Sequence, residues 1–444
     1  METHALELPV WTTFPFAGLL LSIAIFPLVV PHWWERNRNR AIVSGAFAIP
    51  FAVFFLLRYG KAGLPHLEHS LLDYVSFIAL LGSLFVISGG IHIQGSLAGT
   101  PLAITVLLGI GAVLANLIGT TGASMLLIRP LLRAIHRRRR KVHIVVFFIF
   151  VVSNCGGLLT PLGDPPLFLG FLKGVSFTWT LGLWKEWIIV NGILLLVFNL
   201  YDQAKIAIEE KEGPEHEFEE VLEHAPVRID GAFNFAFLGG VILAILGKGQ
   251  GWGNGGVIWP FGPQEALLAA LAVVAYLTTK KEVRASNRFT FHPIVEVAVL
   301  FAGIFTTMVA PLVLLNTHGD ALGVTKPWHY FWATGLLSSF LDNAPTYLTF
   351  GAVAAGQLDI PVTGSQYLAE LLAKGEAGAV LLTAISCGAV FMGANTYIGN
   401  GPNFMVKAIA EENGVRMPTF FGYMAYSGAI LLPILAAVTF LFFA

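Results

Sequence analysis

The chain has 444 residues, 56% of them hydrophobic and only 12% charged, with a mean hydropathy of +0.73. Soluble domains carry about a quarter of their residues as charged groups, so this composition excludes a soluble globular protein and indicates a polytopic membrane protein. The net charge of -1 says nothing about partners, because in a membrane protein the placement of Lys and Arg is what matters, and two isolated cysteines, Cys155 and Cys387, give no disulfide framework or metal cluster.

The first nine residues lack a basic region and a small-residue cleavage site, so the first apolar run reads as a retained span and not a signal peptide. Apolar runs near 14–30, 41–57 and 71–89 are long enough, or nearly so, to cross a hydrocarbon core about 30 Å thick. Residues 100–134 differ, with two short arms around a small polar tip, Gly119 to Ser124. They predict a re-entrant hairpin. His136-Arg-Arg-Arg-Arg-Lys141 follows and marks the cytoplasmic side.

Next comes a long apolar segment, about 143–172, interrupted by Ser153-Asn-Cys-Gly-Gly-Leu-Leu-Thr-Pro-Leu-Gly-Asp-Pro-Pro-Leu-Phe168. A helix facing lipid cannot tolerate such a break, because its freed N–H and C=O groups would go unsatisfied. Irregular backbone survives at membrane depth only where it lines a cavity. An intact span at 181–200 completes a first repeat, residues 1–201. Residues 202–230 then carry Glu209, Glu210, Glu212, Glu215, Glu217, Glu219, Glu220 and Glu223, and read as an acidic cytoplasmic linker with no fold of its own.

Residues 231–444 repeat the order. Spans near 232–247, 262–279 and 291–315 precede a second hairpin, 328–355, with its tip at Ser338 to Thr346. A second broken span, 379–410, holds Gly393-Ala-Asn-Thr-Tyr-Ile-Gly-Asn-Gly-Pro-Asn-Phe404, and a last span lies at 418–443. With the Arg cluster inside, Arg36, Arg38, Arg40, Lys280, Lys281, Arg284, Arg288 and Arg416 also fall inside, which leaves the N- and C-termini outside. The expected fold is therefore all-α and polytopic, with two inverted-topology repeats, each three spans, a re-entrant hairpin, a broken span and a final span. That is the architecture of secondary transporters, and paired breaks are its best pointer to a binding site.

Asp164 precedes Pro165 and Pro166, so it reads either as an N-cap or as an intramembrane carboxylate that binds a cation or carries a proton beside Thr120, Thr121, Asn154 and Thr160. Asp342 and Asn343, with Thr346, raise the same two readings at the second tip. Pairing each tip with its own break would place Asp342 near Asn395, Thr396, Asn400 and Asn403. Two sites of one carboxylate and several neutral oxygens would suit a hard cation such as sodium, with Asp164 and Asp342 as ligands. Asp73 and Glu296, near span ends, read as interfacial or cap groups. No Lys, Arg or His lies within either break or tip, and no Ser/His/Asp, metal-cluster or phosphate-loop pattern supports an enzyme.

In Ser153 to Asp164, Leu341-Asp-Asn-Ala-Pro-Thr346 and Gly399-Asn-Gly-Pro-Asn403 the chain resembles the ion-transporter superfamily. That superfamily includes NhaD-type sodium/proton antiporters, arsenite pumps, citrate–metal transporters and dicarboxylate transporters. The branch of citrate transporters and sodium/proton antiporters is the one it looks most like. The resemblance implies a homodimer in which hairpins and broken spans slide against a scaffold, in a bacterial inner (cytoplasmic) membrane. Dicarboxylate members carry Ser-Asn-Thr at both tips, where this chain has Gly-Thr-Thr-Gly and Asp-Asn-Ala-Pro-Thr. The expectation is a sodium:proton antiporter working by alternating access, with no cofactor and no nucleic-acid partner. Alternatives are transport of citrate or another carboxylate, free or metal-complexed, and a channel or non-transporting membrane component.

Overall fold

The computed structural model describes residues 7–96, 98–212, 225–362 and 366–444. Among these described residues six helices are long and apolar enough to cross a membrane, or seven when a pair bent by 43° at Met308 is taken as one span. The chain is thus a helical, polytopic integral membrane protein.

Helix α1 (Phe14–Val29) leads into α2 (Asn37–Ser88), whose 52 residues contain both the second and third expected spans. Gly60, with φ 50° and ψ -124°, divides them. The ring of Phe55 lies 2.8 Å from where a Cβ on Gly63 would sit, which a straight helix cannot achieve over eight residues, so the chain bends sharply there. Strand β1 (His92–Ser96) then precedes α3 (Pro101–Ala134). Gly119 adopts φ 77°, a conformation that favours glycine. A Cβ on Gly111 would meet the Leu127 side chain at 3.0 Å, although 16 residues separate them. The two arms of α3 therefore lie side by side, doubled back at Gly119.

Helix α4 (Val142–Val151) and α5 (Pro165–Leu172) flank the first break, and α6 (Trp184–Glu212) follows. After β2 (Ala225–Asp230) come α7 (Asn234–Gln250), α8 (Pro263–Thr278), α9 (His292–Thr307) and α10 (Val309–His318). Helices α11 (Pro327–Phe340) and α12 (Asn343–Gln357) form a second doubled-back pair, tied by Tyr330 Oη donating to Gln357 Oε1 at 2.7 Å. Helices α13 (Glu376–Met392) and α14 (Gly401–Glu412) flank the second break, and α15 (Phe420–Phe442) ends the chain.

Burial separates interior from periphery. Every residue of α4 after Val142 is buried, and 78% of the apolar stretch of α13 is, against 28–50% for the other spanning helices. A helix apolar all round belongs in a protein interior or in lipid, and these two take the interior. At the periphery α2 and α9 run together, with Ser44 Oγ donating to Val299 O at 2.8 Å and Tyr74 Oη to Ala298 O at 2.9 Å.

Three sequence expectations need correction. The 202–230 segment is structured at both ends. α6 continues to Glu212, where Asp202 and Glu209 hold the fully buried Arg138 at 2.7 and 3.1 Å, and β2 pairs antiparallel with β1, with His92 opposite Asp230. A buried guanidinium must be paired, and this pairing draws the acids into the fold. Glu215, Glu217, Glu219, Glu220 and Glu223 lie outside the described residues. Asp73 and Glu296 cap nothing. Both lie inside helices and form ion pairs, Asp73 with Lys173 and Glu296 with Arg40 at 3.0 Å. The run 291–315, expected as one span, is a pair of helices bent by 43° at Met308.

Candidate functional site

Each break forms where glycine, proline and polar side chains take over from an apolar helix. After α4 the backbone makes a 3-10 turn at Cys155–Leu158, and Pro165 and Pro166 restart it as α5. After α13 a 3-10 turn at Gly393–Asn395 leads to Gly401 and Pro402, which restart it as α14.

The two breaks are held on their hairpins by matching bonds. Thr160 Oγ1 donates to Asn116 O at 2.5 Å and accepts from Leu162 N at 3.2 Å. Thr396 Oγ1 donates to Ser339 O and accepts from Ile398 N at 3.2 Å. Asn116 Nδ2 donates to Gly156 O at 2.7 Å, and Ser339 Oγ donates to Met392 O at 3.2 Å. Gly163 packs on Gly157, where a Cβ would lie 2.1 Å from Gly157 O. Gly399 packs likewise on Gly393, at 2.5 Å. By this correspondence Asp164 and Asn400 occupy equivalent places in the two breaks, and Thr120 and Asn343 equivalent places in the two tips.

Asp164 stands at the N-cap position of α5 but makes no capping bond with its side chain. Its oxygens turn inward. Oδ1 accepts from Thr120 Oγ1 at 2.9 Å and from Asn400 Nδ2 at 2.9 Å, and Oδ2 accepts from Asn343 Nδ2. Asn400, at the same place on α14, also makes no capping bond. A carboxylate 1% exposed is thus held by one hydroxyl and two amides, drawn from both tips and from the second break. Around it Asn154 Nδ2 donates to Asn403 Oδ1 at 2.7 Å, Asn154 Oδ1 accepts from Asn400 Nδ2 at 3.2 Å, and Asn403 Nδ2 donates to Gly393 O and Thr396 O at 2.8 and 2.9 Å. Asn395 Nδ2 donates to Ser339 Oγ at 2.9 Å. Two acceptors, Asn343 Oδ1 and Asn395 Oδ1, are buried without a hydrogen-bond partner, a condition that calls for an explanation in a folded protein.

Asp342 behaves differently. Its Oδ1 accepts from Ala344 N at 3.0 Å, an N-cap of α12, and its carbonyl accepts from Thr346 Oγ1 at 2.9 Å. The same residue lines a pocket with Gly119, Thr120, Thr121, Asn400 and Pro402, walled by Leu84, Phe85 and Phe301. No Lys, Arg or His lines that pocket. The expected meeting of Asp342 with the second break is seen in part: Asp342 shares the pocket with Asn400 but makes no hydrogen bond to Asn395, Thr396, Asn400 or Asn403, and the polar centre on Asp164 draws on both halves. Among the described residues there is no group of three or more His, Cys, Asp or Glu suited to a metal ion. The donor set at Asp164, one carboxylate with neutral oxygens and amides, fits a monovalent hard cation better than a divalent one.

Residues not singled out from the sequence complete the frame. Asn116 holds Gly156 O and Leu159 N at 2.7 and 2.8 Å. Ser124 and Ser153 share a 2.7 Å hydroxyl contact, and Trp187 Nε1 and Asn191 Nδ2 hold Gly156 O and Cys155 O at 2.7 and 3.0 Å from behind. The signal available for Asn116 and Asn191 was an amide in an apolar run, where a polar group must find a partner.

Fold and site together define a polytopic helical membrane protein with an enclosed polar centre where two interrupted helices meet. A family described as "Putative citrate transport" matches residues 5–443, nearly the whole chain. The chain belongs to this family, one of citrate-transporter-like secondary transporters. Among curated proteins none matches it.

Proposed function

We propose that the protein is a cation:proton antiporter, with sodium as the cation, in which Asp164 is the group both ions share. The single observation that carries this reading is that Asp164 forgoes its capping bond and is instead held by Thr120, Asn343 and Asn400. A simple cap would serve as well with a serine, and an acid at membrane depth costs several kcal/mol on some scales. An amide carries a donor and an acceptor on one rotor. Asn343 and Asn400 stabilise the empty carboxylate by donating, and on rotation they present oxygen to a bound cation. The unpartnered Asn343 Oδ1 is poised for that exchange. Thr121, Asn154 and Asn403 supply further neutral oxygen.

The matching tip and break bonds support reading the chain as two inverted repeats; the resemblance to the ion-transporter superfamily supports the hairpins and broken helices as the moving part, α2 and α9 as scaffold, and a homodimer. Basic-loop asymmetry supports both termini outside and the 202–230 segment inside a bacterial inner membrane. Cysteines at Arg416 and at Ala444 should then label from opposite sides of the membrane, and labelling from one side sinks that topology.

A second reading, uptake of citrate or another carboxylate, is favoured by the family's description. Against a free anion stands Asp342 in a pocket lined by no cationic side chain. A metal–citrate complex would soften that repulsion. Purified protein in liposomes with an internal pH dye, challenged in turn with sodium, lithium, potassium and citrate, separates the readings. Proton movement driven by sodium alone supports antiport, and movement that needs citrate overturns it.

A further inference from the structure

The pocket beside Asp342 meets the site at the start of α5, where it is lined by Gly163 and Pro165, and a distinct set of contacts lies at the other end of that helix. Helix α5 begins next to Asp164 and ends at Leu172, and the next residue, Lys173, forms an ion pair with Asp73 of α2. Lys173 is 9% exposed, and the Asp73 side chain 16%. Along one face of α2, Asp73, Phe77, Leu81 and Leu84 follow at helical spacing, and the last two line the pocket.

Between the ion pair and the pocket stands an aromatic block. The ring of Phe77 lies 4.7 Å from that of Phe301, 5.6 Å from Phe305 and 6.4 Å from Phe168, one turn beyond Asp164 on α5. Phe77 and Phe168 are buried, and Phe301 is also a wall of the pocket. Beyond the block a second, separate hollow is lined by His66, His69, Ser70, Asp73 and Lys173. That hollow and the pocket beside Asp342 thus lie at opposite ends of α5, with the site, the four rings and the ion pair between them. The end of α5 is also fastened to the second half, since Lys173 O accepts from Leu368 N and Ala369 N at 3.2 and 3.3 Å.

We propose that the Asp73–Lys173 ion pair and the Phe77–Phe168–Phe301–Phe305 cluster form the gate that shuts the site from the side of His66 and His69. The hollow at those histidines is then the second mouth of the pathway. A largely buried pair of opposite charges is suited to this role. Separating it into a dry interior is strongly unfavourable, whereas separating it into water that floods the opened hollow is not. The rings exclude water while the pair is made, and they part when α5 moves along α2. Asp73 and Lys173 act through α5 and are positioning residues, not ligands. The inference extends the antiport reading but rests only on Asp164 lying on the transport path.

The test uses the full chain in liposomes with Cys155 and Cys387 replaced by alanine and Thr121→Cys as reporter. A membrane-impermeant thiol reagent is added from the face that carries His66. Asp73→Asn, Lys173→Met and Phe77→Ala should each raise the labelling rate about tenfold or more by populating the open state. The exchanged pair, Asp73→Lys with Lys173→Asp, should restore slow labelling. A purely structural pair would lower stability without changing labelling from that one face. Unchanged rates in Phe77→Ala and in either charge variant overturn the gate, as does an exchanged pair that labels as fast as the single variants. No transported ion enters the measurement. An Asp164→Asn protein that exchanges normally would therefore defeat the site while leaving the gate standing.

Discussion

Asn400 and Asp164 meet at 2.9 Å from equivalent positions in the two halves, one an amide and the other an acid of nearly the same shape. The two breaks thus share one ionisable group, and its neutral counterpart holds it.

Asp164→Asn should lower coupled transport by about a hundredfold or more, equivalent to ~2.7 kcal/mol, with the fold intact because the amide keeps the shape. Moving the charge across the pair, Asp164→Asn with Asn400→Asp, should recover a measurable part of that loss. Proton flux in liposomes reads both. Wild-type flux in the single variant would reduce Asp164 to a structural group.

Sodium and a proton cannot occupy one carboxylate together. Protonation removes the charge that attracts sodium, so lowering the pH should raise the apparent sodium constant, by up to about tenfold per pH unit where the site is mostly protonated. The sign reverses for a symporter, whose substrate affinity would rise as protons bind. Initial rates at varied sodium between roughly pH 6 and 9, a range that brackets a buried carboxyl, decide between them.

Gly163→Ala should prevent assembly or cost about 3 kcal/mol or more, since its Cβ would lie 2.1 Å from the Gly157 carbonyl, which cannot swing aside. Gly401→Ala, with nothing within 4 Å of its Cβ, should be tolerated. Melting temperatures in detergent distinguish the two, and equal values would discount the tight stacking of the break on itself.

Asn116→Ala strips the amide that holds Gly156 O and Leu159 N. The loss should be about 1–3 kcal/mol of stability. Partial rescue by Asn116→Ser, a residue that plays the matching role at Ser339, would mark the two positions as counterparts. A serine variant no better than alanine would count against that.

The interruptions at Ser153–Phe168 and Gly393–Phe404 were legible because glycine, proline and amides in an apolar run have only one tolerable location, against a cavity. Gly119 was legible as a tip for the same reason. What the sequence did not disclose was which halves exchange contacts. Thr120 reaches Asp164 within one half, but Asn343 and Asn400 arrive from the other, across 179 and 236 residues. No local pattern encodes such a meeting. The acidic run from Asp202 read as solvent-facing on composition, and the buried Arg138, with His143 beside it, explains why its first members fold in. Asp73 read as a terminal group because its partner, Lys173, lies 100 residues away.

The frame around the site is built twice, but its charges are not. Asp164 has Asn400 as its counterpart, and Asp342 stands where the first tip has the glycine turn at Gly119. On the proposed antiport reading, an ion approaching past Asp342 would meet a negative group before reaching Asp164, whereas one approaching past Phe77 and Phe168 would meet hydrocarbon first. The two directions of travel therefore present different electrostatic slopes. If Asp164 is the ion site we propose, the protein would be a rectifier in its rates, loading more readily from one face, even though the gradients alone set the direction of net flow.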